Sequence, residues 1–265
     1  MKTKTFLAGA LASALLVACA TATSPTGRTQ YVGGVPQQQL NQLGEQAFAE
    51  AKQKTPQSRD TRQTAYLGCV VNAVARQLPA PWNQQRWDYA LFENADANAW
   101  ALPGGKVGVY TGIFKVATNQ DQLAAVVAHE IGHVIARHHD ERITRQLGAA
   151  GAVQLLGSLA GDYSQIATQG GSVLAQAGFL LPNSRAQETE ADVVGQDLMA
   201  KAGFDPRGAT QLWRNMAAAG GARSPQWLST HPEPASRLRE LESRAQGLLP
   251  AMQAARRAGS VPRCQ

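Results

Sequence analysis

The residues with the plainest chemistry in this chain are two histidines four positions apart with a glutamate beside the first, His129-Glu130-Ile131-Gly132-His133. On an α-helix such positions lie about one turn apart on one face, so the two imidazoles can grip a single cation. Glu130 sits about 100° further round the helix, badly placed to ligate but able to act as a base on water beside the metal. The spacing therefore separates ligands from base. The competing reading is a structural pair of buried histidines, since Leu123 to Ala128 make this helix apolar and any polar group in it needs partners.

A catalytic zinc takes three protein ligands and leaves one position open, which directs attention to the acidic stretch Ser184 to Asp192. Val193, Val194 and Leu198 continue its apolar face, so it reads as a helix in which Glu188 and Asp192 share a side and Glu190 points elsewhere. Glu188 is then the third ligand, Asp192 the acceptor of a hydrogen bond from a ligand histidine, and Glu190 a surface residue. Glu190 as ligand, or a solvated acidic face, are the alternatives.

The elements that must position these groups follow from periodicity. Leu40, Leu43, Ala47 and Ala51 place an amphipathic helix over Gln37 to Lys54, and Leu67, Val70, Val71, Val74 and Leu78 a second over Asp60 to Leu78, stopped by Pro79 and Pro81. Trp87 to Phe92, Ala97 to Leu102 and Lys106 to Tyr110 read as short strands, the last two joined by a Pro103-Gly104-Gly105 turn. The helix bearing the histidines should run from Asp121 to about Arg145. This order predicts one α+β domain over residues 37–265, mainly helical with a small β-sheet. Leu147 to Leu181 reads as packed or mobile helices near the site. Its first apolar piece is too short for a membrane hairpin, and Asp162, Gln165, Gln169 and Gly170-Gly171 interrupt the rest.

The N-terminus reads as an export signal over residues 1–18: Lys2 and Lys4, then an apolar run from Phe6 to Ala18 that falls short of the roughly 20 residues a span needs. Leu16-Val17-Ala18-Cys19 resembles the bacterial lipobox, which implies a lipid on Cys19; an ordinary secretory signal with a chance cysteine is the alternative. The same resemblance implies a sorting rule by which Ala20, where an aspartate would favour the inner membrane, favours the periplasmic side of the outer membrane. Residues 19–36, rich in Thr, Ser, Pro and Gly, read as a lipidated flexible tether. Cys69 and Cys264 are left to pair in an oxidising compartment, or to stand as unrelated thiols. A net charge of +6 would suit nucleic acid in a cytosolic protein, but export removes that partner and leaves anionic lipid.

Four pieces together resemble the zinc metallopeptidase family of the CAAX prenyl proteases and HtpX peptidases: Asn98 to Gly105 with Val107, Val109 and Gly112; His129 to His133 with Arg137-His138; Glu188 to Asp192; and His231-Pro232 with Arg237. The resemblance implies a zincin-like domain holding one Zn2+ per chain, with Glu188 as third ligand. Within the family the chain is most similar to the periplasmic lipoprotein (LoiP- and BepA-like) branch. That implies a membrane-tethered endopeptidase acting on unfolded or misassembled envelope polypeptides, the alternative being a chaperone-like assembly factor with latent proteolysis. His231, on a loop stiffened by Pro232 and Pro234, is a candidate donor to the developing oxyanion, a fourth zinc ligand holding the enzyme shut, or a cap for the helix beginning near Ala235. Asn98, Ala99, Trp100, Ala101 and Leu102 read as an edge strand that a substrate could extend.

Overall fold

The computed structural model describes residues 20–148, 183–219, 227, 231 and 235–264. The expected signal peptide, Cys19 and nearly all of the Leu147 to Leu181 stretch lie outside those residues.

The chain after Cys19 is not a loose tether. Strands β1 (Ala20–Thr23) and β2 (Thr29–Val32) pair antiparallel, Ala20 opposite Val32 and Thr23 opposite Thr29. Composition misled here because Thr, Pro and Gly serve turns as readily as linkers. The β-branched threonines flank a turn in which Gly27 takes φ 89° and donates to the Ser24 carbonyl at 2.9 Å.

Helix α1 covers Gln37–Lys54, as its period requires. Helix α2 covers Thr61–Ala75, with Asp60 as its cap accepting from the backbone of Arg62 and Gln63. It ends three residues before Leu78 because Gln77 N donates to Val74 O and tightens the last turn. The sheet contains β3 (Asp88–Phe92), β4 (Ala99–Leu102) and β5 (Lys106–Tyr110) in the order β3-β5-β4, with β5 parallel to β3 and antiparallel to β4. Among the described residues β4 is therefore an edge, and Asn98 lies just before it. A Cβ on Gly108 would sit 2.2 Å from Trp100 Cζ2, so this glycine lets the Trp100 ring lie across the sheet.

Helix α3 (Gln120–Ile135) is capped by Asn119 and buried from Gln122 onward. It forms the centre of the hydrophobic core, with Leu67, Val71, Val109 and Leu212 among its neighbours in that cluster. It does not run on to Arg145. Arg137 adopts φ 57°, and the chain restarts as a separate helix α4 over 138–148. The break turns His138 back toward His133, a contact that a continuous helix would not make. Helix α5 (Arg185–Lys201) opens with a capping box formed by Ser184 and Gln187, and α6 (Arg207–Ala219) and α7 (Ala235–Arg257) follow. Cys69 and Cys264 are joined in a disulfide, Cα atoms 5.4 Å apart. No described helix is long and apolar enough to cross a membrane.

Candidate metal centre

The centre lies where α3 and α5 cross, and small residues set how closely they approach. A Cβ on Gly195 would lie 3.0 Å from His129 N, and one on Gly132 would lie 3.0 Å from Ala191 O. With hydrogen at both positions the helices come together, and the Glu188 carboxylate reaches the two imidazoles. His129 Nε2 and His133 Nε2 are 3.1 Å apart, and each lies 3.4 Å from a different oxygen of Glu188. His231 joins them, and the four residues offer donor atoms within 4.8 Å of one another.

The other nitrogen of each ring faces a partner. His129 Nδ1 faces Asp192 Oδ1 at 3.0 Å, and His133 Nδ1 faces His138 Nδ1 at 2.7 Å. Protons at those positions leave both Nε2 lone pairs turned inward toward a carboxylate. Two imidazole nitrogens and one carboxylate are the donor set of a catalytic zinc site, and the residues fit that ion. Burial opposes charge on His129, yet Asp192 and Glu188 raise its pKa from 6.5 to about 9. For His133 burial wins and the pKa falls well below 6.5. Burial also opposes ionisation of Glu188, but His231, His133 and His129 hold its pKa well below 4.5.

Two carboxylates support the two histidines. Asp192 does so directly and is itself gripped by Arg237, whose Nε and Nη2 donate to it at 2.7 and 2.9 Å. The same guanidinium pairs through Nη1 with Glu188 at 2.9 Å and lies over the Trp213 ring, 4.5 Å from its centroid. Glu190 is the second carboxylate. It is buried, 3% exposed, and meets His138 Nε2 at 3.1 Å. The expectation that it lies on the surface is wrong. The helical period correctly turned it away from Glu188, but what lies on that side is another packed element.

Glu130 points to the side of the donor cluster, its Oε1 accepting from Trp227 Nε1 at 2.6 Å and lying 3.4 Å from His231 Nε2. The His231 ring stacks on Trp227, and its Nδ1 meets the Trp227 carbonyl at 3.0 Å. These contacts point His231 at the cluster. A cavity of about 380 Å³ opens beside Glu130, His133 and His231, edged by β4 and floored by the aromatic rings of Phe92, Trp100 and Tyr110.

The residues singled out from sequence thus converge: His129, Glu130, His133, Glu188, Asp192 and His231 lie together, with Ala99 to Leu102 along the groove. Trp227 and Arg28 did not stand out as site residues, and His138 entered only as part of the family motif, with no role given to it. Trp227 precedes His231 by one helical turn, a spacing that could have flagged it. His138 stands beside the glutamate-rich segment only because of the α3–α4 break.

An imidazole pair on one helix, a carboxylate from the helix crossing it and a flanking glutamate constitute the ligand geometry of a zinc metallopeptidase. The profile of Peptidase family M48 matches residues 61–245, and the chain belongs to that family. It is 41% identical over 161 residues to the mitochondrial metalloendopeptidase OMA1 of Schizosaccharomyces pombe, covering 59% of this chain and 46% of that protein. It is 29% identical over 220 residues to the beta-barrel assembly-enhancing protease of Escherichia coli K12, covering 79% of this chain and 44% of that protein. The chain spans less than half the length of these curated relatives.

Proposed function

We propose that the chain is a zinc-dependent endopeptidase that cuts unfolded or misassembled polypeptides of the bacterial envelope. It would act from a lipid on Cys19 at the periplasmic side of the outer membrane. The observation that carries the hydrolytic reading is the convergence of His129, His133 and Glu188 beside Glu130 in one groove. Bound zinc supplies Lewis acidity and lowers the pKa of water. Glu130 accepts a proton from the attacking water and returns it to the leaving amine, while the Trp227 indole keeps the carboxylate turned into the groove. Strand β4 is an edge among the described residues and offers the substrate a strand to extend, so recognition runs through the main chain and favours segments that are already unfolded. A folded protein would be a poor substrate.

The envelope role is supported by the similarity to a protease named for beta-barrel assembly. The lipid anchor is supported by the Leu16 to Cys19 sequence and by the resemblance to the lipoprotein branch. Zinc analysis of the purified chain, followed by digestion of a chemically unfolded protein, tests the reaction. One zinc per chain is expected, with cleavage by the wild type and none by Glu130→Gln. A Glu130→Gln variant that cuts as the wild type does would refute this mechanism.

One observation favours a second reading, an assembly factor with latent proteolysis. His231 Nε2 closes on the cluster and on Glu130, a position from which it can act as a fourth ligand and exclude water. A His231→Ala variant that cuts faster than the wild type supports latency; one that cuts more slowly assigns His231 to the oxyanion.

A further inference from the structure

The turn of the β1–β2 hairpin reaches the metal cluster through Arg28, with Thr26 beside it. Arg28 donates from Nε and Nη2 to Glu190 Oε2 at 3.0 and 2.9 Å, and from Nη1 and Nη2 to the two oxygens of Glu141 at 2.8 Å each. Thr26 Oγ1 adds a bond to Glu190 Oε1 at 2.7 Å. Glu141 and Glu190 are buried, at 0% and 3% exposure, so the guanidinium joins two buried carboxylates.

From Glu190 the contacts run inward to His138 and on to His133. With neutral rings and His133 Nε2 turned to a metal, one proton arrangement satisfies every contact. His133 Nδ1–H donates to His138 Nδ1, and His138 Nε2–H donates to Glu190. The carboxylate thus selects the His133 tautomer through an intervening imidazole, as Asp192 selects that of His129 directly.

We propose that Arg28 is a positioning residue for the metal site: by fixing Glu190 it orients His138, which holds the Nδ1 proton of His133, and the hairpin following Cys19 is thereby part of the zinc-binding unit. This inference rests on the assignment of His129, His133 and Glu188 as zinc ligands. Nothing in the local sequence around Arg28 marks it, since Glu190 lies 162 residues away.

Zinc transfer from the loaded full-length chain to a chromophoric chelator, well below the unfolding temperature, separates this role from a purely structural one. Arg28→Ala should release zinc about tenfold faster than the wild type, and Arg28→Lys should fall between them. Arg145→Ala removes another cation from Glu141, 2.7 Å away, without touching Glu190, and should release zinc at the wild-type rate. In a His138→Ala background Arg28→Ala should have no further effect, because the link it acts through is gone. If Arg28→Ala does not fold, Thr26→Val loosens the same carboxylate and should shift release in the same direction by less. Release at the wild-type rate from a destabilised Arg28→Ala overturns the proposal, as do Arg28→Ala and His138→Ala effects that multiply. A wild-type chain that takes up no zinc refutes the ligand assignment itself, a separate failure.

Discussion

The two histidines of α3 are held by opposite ends of the chain. On the His129 side the support is short and enclosed: Asp192 touches the ring, and Arg237 of α7, 2% exposed, grips Asp192 and Glu188 together. On the His133 side it is longer and nearer the surface, passing through His138 and Glu190 to Arg28, whose side chain is 24% exposed. Both arms end in an arginine from outside the α3–α5 pair. One is sealed in the core and the other sits on a two-stranded hairpin, so the stability of the site and its susceptibility to change are divided between them.

Breaking the enclosed arm should do the most harm. Arg237→Ala leaves Glu188 and Asp192 buried without their counter-charge, and should cost about 3–5 kcal/mol in urea unfolding. Arg28→Ala should cost less, about 2 kcal/mol, because Glu141 keeps Arg145 and Gln187 and Glu190 keeps Thr26. Equal losses from the two variants would remove the distinction between the arms.

Acid should sharpen it. Burial works against ionisation of Glu190, yet His138, Ser24, Thr26 and Arg28 hold its pKa far below the 4.5 of a free side chain. The unfolded chain therefore takes up this proton before the folded one does. The contribution of Glu190 is complete above about pH 4.5 and is lost as pH falls further. Stability measured between pH 5 and 3 should drop more steeply for wild type than for Arg28→Ala, in which Glu190 is less perturbed. Parallel curves would show that Arg28 does not set the ionisation of Glu190. The smallest effect belongs to a site remote from both arms. Asp60→Ala removes the cap of α2 and should cost about 1 kcal/mol with zinc release unchanged.

What was legible in the sequence is what short-range order determines. The apolar period gave α1 over Gln37–Lys54 and β5 over Lys106–Tyr110 with the observed bounds. The four-residue spacing of His129 and His133 needs only a helix to become a ligand pair. That Glu188 and Asp192 share one helix face was legible for the same reason. The outer contacts were not, because each depends on distant segments meeting. Trp227 reaches Glu130 across 97 residues and Arg28 reaches Glu190 across 162. The α3–α4 break was hidden as well, since no glycine or proline announces a residue such as Arg137 in the left-handed region. Glu190 shows where helical-wheel reasoning stops: it gives a side chain's direction but not what occupies that direction.

The bond between Cys69 and Cys264 has a further meaning for a chain proposed to cut peptide bonds. The two cysteines are separated by 195 in sequence, and His129, Glu130, His133, Glu188 and His231 all fall inside the ring that the bond closes. A single backbone scission anywhere within it opens the ring but releases nothing. The nicked molecule would run as one band without reductant and as two with it, keeping its site assembled after damage that would split an uncrosslinked chain.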